Sequence, residues 1–71
     1  MAHYSEGDKV SWPWGNGRGR GVIQSVFPEK TIRTIDGTEV VRKGTKENPA
    51  YYIAVDEGNN VLKLHSEVDK E

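Results

Sequence analysis

Short clusters of valine, isoleucine and aromatic residues recur along this chain, each broken within a few positions by Gly, Pro, Asn or Asp. That pattern predicts β-strands joined by turns, and no interval carries the 3.6-residue repeat of an amphipathic helix. Val10 and Trp12 alternate with Lys9 and Ser11, predicting a first strand from Lys9 to Trp12; Pro13, with no N–H to donate, is expected to end its ladder. A second strand is predicted from near Gly19 to Phe27. Its apolar residues, Val22, Ile23, Val26 and Phe27, break strict alternation, so a bulge or strong twist is expected near Gln24 and Ser25.

The segment TIRTIDGTEVVRK carries the clearest local signal. Asp36-Gly37 suits a two-residue type I′ turn, because both residues tolerate the positive φ it needs. The resulting hairpin sets Ile35 opposite Thr38, Arg33 opposite Val40 and Ile32 opposite Val41. Ile32 and Val41 share one face and are expected in the core; Ile35, Arg33, Val40 and Arg42 share the other, which leaves the arginines in solvent. After the loop GTKENP, a fourth strand is predicted at Ala50 to Val55 and, beyond the turn DEGNN, a fifth at Val61 to Leu64. His65 to Val68 is long enough only for one 3₁₀ turn. Five short strands and one tight turn around a small core predict an all-β, SH3-like (Tudor-type) barrel, whose closure also removes exposed sheet edges.

Length sharpens this picture. Seventy-one residues make a single domain with an ordered core expected over about residues 6–68, and a chain of this size buries only about 60% of its unfolded surface. There is no cysteine, so neither disulfides nor thiolate metal sites reinforce it. His3 and His65 are far apart and no carboxylate cluster has metal-loop spacing, so no metal and no cofactor are expected. Hydrophobic residues make up 34% and charged residues 30%, a polar balance in which folding depends on the clustered strands. No apolar leader or spanning stretch is apparent, which gives the expectation of a soluble, cytoplasmic protein without a membrane partner.

Charge is unevenly placed. Residues 1–46 carry eight Lys and Arg against five Asp and Glu, whereas residues 47–71 carry two against six. Weak nucleic-acid binding through Lys9, Arg18, Arg20, Arg33, Arg42 and Lys43 is therefore one functional expectation.

SWPWGNGRGRG, Ser11 to Gly21, invites three readings. A phosphate loop fails, since Gly15, Gly17, Gly19 and Gly21 fall at every second residue and no helix follows to aim its N-terminus at phosphate. An arginine-glycine nucleic-acid segment, with Trp12 and Trp14 as stacking platforms, is countered by the valine-rich strand into which it runs. The structural reading is favoured: period-two glycine leaves one strand face bare, so that a tryptophan ring or a neighbouring strand packs onto backbone. NPAY, Asn48 to Tyr51, leads into a predicted core strand and is a chance motif. HSE, His65 to Glu67, has residue types of nucleophilic catalysis, but adjacent positions diverge and no general base or oxyanion loop accompanies them, so no enzyme is expected. Trp12, Trp14, Phe27, Tyr51 and Tyr52 cannot all fit one small core, and at least two should reach the surface, where rings hold cations through their quadrupole.

Residues 6–23, EGDKVSWPWGNGRGRGVI, together with residues 42–53, RKGTKENPAYYI, resemble the hypervirulence-associated Tudor-domain family, and the resemblance runs from Glu6 to about Val68. It implies a Tudor-type barrel and no catalytic residues. Tudor domains that bind methylated side chains use an aromatic cage; by position Trp14, Phe27 and Tyr52 would supply the rings, although no cage motif is present. The expectation is a non-catalytic module contacting a peptide or protein through Trp14, Arg18, Arg20, Phe27 and Tyr52, with a structural accessory domain as the remaining alternative.

Overall fold

A computed structural model describes residues 3–56, 58 and 60–71. The strands are β1 (Lys9–Trp14), β2 (Gly17–Phe27), β3 (Lys30–Ile35), β4 (Thr38–Lys43), β5 (Ala50–Val55), β6 (Val61–Leu64) and β7 (Asp69–Lys70); a 3₁₀ turn at His65–Glu67 separates the last two. Every strand pair is antiparallel. Five strands form one sheet in the order β6-β5-β2-β1-β7, and β3-β4 forms a separate ribbon. The eleven residues of β2 explain the curl. Its first half pairs with β1 and its second with β5, and between Ile23 and Ser25 the register shifts at the expected bulge. The result is an all-β, SH3-like half-barrel.

The Asp36-Gly37 turn forms as expected, with φ of 51° and 74° and with Ile35↔Thr38, Arg33↔Val40 and Ile32↔Val41 in register. It contributes two strands where the five-strand reading counted one, and β7 adds another. The first strand also runs two residues further than expected, through Pro13. Trp14 and Gly17 close a two-residue loop and so form a hydrogen-bonded pair; alternation then makes Pro13↔Arg18 a non-bonded pair, whose missing N–H would face the open edge. The expected turn at Asp56–Asn60 includes Glu57 and Asn59, which lie outside the described residues.

One expectation is inverted. Ile32 and Val41 are 46% and 37% exposed, while the other ribbon face, carrying Thr31, Arg33, Ile35, Val40 and Arg42, turns inward. Both faces hold aliphatic residues, so alternation alone does not choose between them. The arginines decide it. The Arg33 guanidinium lies 4.7 Å from the Phe27 ring centre and 5.9 Å from that of Tyr52, and Arg42 Nε lies 3.4 Å from Glu67, so each finds partners inward that solvent would not supply.

The core is built from Val10, Trp12, Ile23, Tyr51, Ile53 and Val68, with Tyr4, Val26, Val55 and Val61 packed around it. Burial of each large apolar side chain contributes about 1.5–3 kcal/mol, so a few residues dominate stability. Gly44 follows β4 directly, where a Cβ would stand 2.6 Å from the Phe27 carbonyl oxygen and 2.7 Å from that of Glu29. No helix among the described residues is long and apolar enough to cross a membrane.

Candidate functional site

The glycine alternation becomes intelligible once β1 and β2 are paired. Val10, Trp12 and Trp14 stand opposite Gly21, Gly19 and Gly17, so large side chains of one strand face bare backbone of the next. Trp12 is 3% exposed and lies directly on Gly19, where a Cβ would be 2.6 Å from the indole nitrogen. Its role is in the core, which removes it as a stacking platform. Trp14 sits at the hairpin tip opposite Gly17, has no cross-strand side chain to cover it, and is 72% exposed. Gly15 supplies the positive φ, 55°, at the first loop position, as a type II′ turn requires.

Arg18 and Arg20 fall on the opposite strand face by the same alternation, facing Pro13 and Ser11. Arg18 donates from Nη2 to Asp69 at 2.6 Å and from Nε and Nη2 to the buried Ser11 hydroxyl at 3.3 and 3.1 Å. Arg20 Nε donates to Glu71 at 3.0 Å. The Ser11 hydroxyl first, and the Arg20 guanidinium after it, hold the Glu71 carboxyl below the ordinary carboxylate range.

Trp14, Arg18, Gly19, Arg20, Val55 and Asp56 together line an open hollow of about 390 Å³. It forms because pairing of β2 with β5 begins only at Gly21↔Val55. Upstream, β2 pairs with β1 alone, and since Gly17, Gly19 and Gly21 take the bonded positions, the backbone groups of Arg18 and Arg20 point to the uncovered edge. Among the described residues, no strand covers it.

Phe27 and Tyr52 lie toward the other end of β2, brought together beneath Arg33. They share no hollow with Trp14: Tyr52 lines a separate one of about 310 Å³ with Thr34, Ile35, Asp36, Gly58 and Asn60. The aromatic pair already holds an internal cation. The six basic residues are likewise dispersed. Arg18, Arg20 and Arg42 have carboxylate partners, Arg33 lies on the rings, Lys43 is on the outer ribbon face opposite Lys30, and Lys9 lines a hollow with Arg20, Asp56 and Glu71.

A cluster that sequence reasoning missed surrounds His65. The Tyr4 N–H donates to the Tyr51 hydroxyl at 3.0 Å, and that hydroxyl is hydrogen-bonded to His65 Nδ1 at 2.9 Å. The His3 ring lies 4.8 Å from His65, its Nε2 bonded to the Glu47 carbonyl. Burial first, and the charge of His3 after it, push the His65 pKa below its ordinary value. Lys46 and Glu47 line the same hollow as the two histidines. These residues are too far apart in the chain for spacing to reveal them.

A depressed imidazole pKa means that the unfolded chain binds the proton first, so His65 contributes stability above the ordinary histidine range that is lost as pH falls toward its lowered folded value. Urea midpoints measured between pH 7.5 and 5 are expected to decline more steeply for the natural chain than for His65→Gln. A stability difference between the two that fails to narrow with acidification would contradict the arrangement.

The family described as hypervirulence associated proteins TUDOR domain matches residues 7–68, nearly the whole chain. No curated protein and no solved structure matches it.

Proposed function

Because the chain belongs to the hypervirulence-associated TUDOR-domain family, a family of small all-β domains, we propose that it is a non-catalytic binding module whose hollow at Trp14, Arg18 and Arg20 takes an extended peptide segment of a protein partner. The observation that carries this reading is the exposed Trp14 ring beside an uncovered stretch of β2. An extended segment added there would bond to the free backbone groups of Arg18 and Arg20, and Trp14 would close over one of its side chains; ladder bonds supply affinity and the aromatic supplies an anchor. The dispersed, largely paired cations support a peptide over nucleic acid, because counterion release needs several free cations along one track. Phe27 and Tyr52 lie outside this hollow, and their ring faces already receive Arg33.

Trp14→Ala separates function from folding. The side chain is solvated, so the substitution is expected to change stability by no more than about 0.5 kcal/mol. Pull-downs from lysate with the intact and substituted chains are expected to differ by loss of the partner. An unchanged partner list in a folded Trp14→Ala protein would remove this surface from consideration.

A further inference from the structure

We propose that Arg18 and Arg20, with the edge of β1, form a receptor for an extended acidic segment whose carboxylates stand two residues apart, and that the chain's own Asp69-Lys70-Glu71 is its displaceable first occupant. The inference rests on the arginines belonging to the binding surface; it adds the chemistry of the partner and the means by which access is controlled.

The seating is visible in full. Ser11 pairs with Asp69 and Val10 with Lys70, and the Glu71 N–H donates to the Lys9 carbonyl at 2.9 Å, so the tail is a strand added to β1. Period two puts the carboxylates of Asp69 and Glu71 on one face. Arg18 and Arg20 reach that face across β1 because they stand opposite Pro13 and Ser11. Each arginine takes one carboxylate, and the Ser11 hydroxyl steadies the guanidinium of Arg18 between them. Backbone ladder and paired cations thus recognise one pattern: acid, any residue, acid, in an extended chain.

The occupant is held lightly. Val68 is the last buried apolar residue, and beyond it the side chains of Asp69 and Lys70 are 72% and 58% exposed. Exposed ion pairs contribute little each, and an exposed two-residue strand opens locally without unfolding the rest of the sheet. The family match includes Ser11, Arg18 and Arg20 but stops at residue 68, so the receptor lies inside the matched region and the tail outside it. A partner segment with the same spacing would exchange with the tail, its carboxylates taking both arginines in place of those of Asp69 and Glu71.

The test uses a fluorescently labelled hexapeptide, Ser-Glu-Val-Asp-Lys-Glu, titrated into the full natural chain and into full-length D69N/E71Q, with anisotropy as readout. The neutralised chain is expected to bind it about five- to tenfold more tightly, the gain from clearing two exposed ion pairs. Arg20→Gln in that background is expected to abolish the gain, and a peptide with Asn in place of its Asp and Gln in place of its last Glu to bind neither chain. Should D69N/E71Q fold poorly, E71Q alone is expected to give about a two- to threefold gain. Equal binding to the natural and neutralised chains, or binding indifferent to the peptide's carboxylates, overturns the proposal. So does a single-stranded oligonucleotide that displaces the peptide more effectively than the free tail sequence does. If the peptide binds no chain while Trp14→Ala still loses its partner, the acidic receptor fails and the peptide-binding reading stands.

Discussion

Trp12→Ala is expected to leave the chain with little or no cooperative unfolding transition at 25 °C. The ring is buried between β1 and β2, with Gly19 backbone against one side and Val10, Ile23 and Tyr51 in the same cluster. Truncating a buried tryptophan costs about 3–5 kcal/mol, from lost transfer energy and from the cavity left behind. A domain of this length has a total stability of roughly 4–11 kcal/mol at typical per-residue values, so the loss removes a large part of it. Here the cavity has little means of collapsing, because its far wall is backbone with no side chain to move inward. The measurement is urea denaturation followed by fluorescence of Trp14 and by far-ultraviolet dichroism. A midpoint close to that of the natural chain would show that the packing of Trp12 on Gly19 is not what holds the hairpin to the core.

Gly21→Ala is expected to cost about 2–3 kcal/mol, at the upper end of overpacking effects. An added Cβ would stand 2.5 Å from the Ala54 carbonyl oxygen and 2.6 Å from Ile53 Cγ2. The oxygen belongs to the β2-β5 ladder, so relief requires the strands themselves to part. Gly17→Ala is the matched control: the same methyl group is added in the same strand, with nothing within 4 Å to meet it. Its stability is expected to stay within about 0.5 kcal/mol of the natural chain. Comparison of the two thermal transitions isolates space from glycine's conformational freedom, since neither position has a positive φ. Equal losses at both positions would mean that close approach to Ala54 and Ile53 is not what Gly21 provides.

Much of the architecture was legible because local chemistry and tertiary demand agree. Asp36-Gly37 specifies its own turn, and with it the whole β3-β4 register. The broken alternation around Gln24 announced the bulge, and the period-two glycines announced the ring on bare backbone. The inward face of the ribbon was not legible. Ile32 with Val41 and Ile35 with Val40 offer nearly equal apolar pairs, and the choice depends on Phe27, Tyr52 and Glu67, contributed by other segments. The site was legible only in part. Trp14 is exposed beside both arginines, as a surplus of aromatics over core volume implied, but Phe27 and Tyr52 serve a different part of the barrel. Neither β7 nor the His65 cluster left a trace in local pattern, because each depends on contacts spanning most of the chain, such as Tyr4 with Tyr51 and His3 with His65.

The divided pairing of β2 also bears on how binding and folding are coupled. Hairpins close quickly because their contacts are local, whereas joining Gly21 to Val55 must bring together segments 34 positions apart. One wall of the Trp14 hollow comes from the first hairpin and the other, Val55 and Asp56, from across that long-range pairing. A ligand seated there would bind only the assembled half-barrel, since a chain with the first hairpin alone lacks one wall of the hollow. The binding free energy of such a ligand would therefore add to the stability of the whole domain.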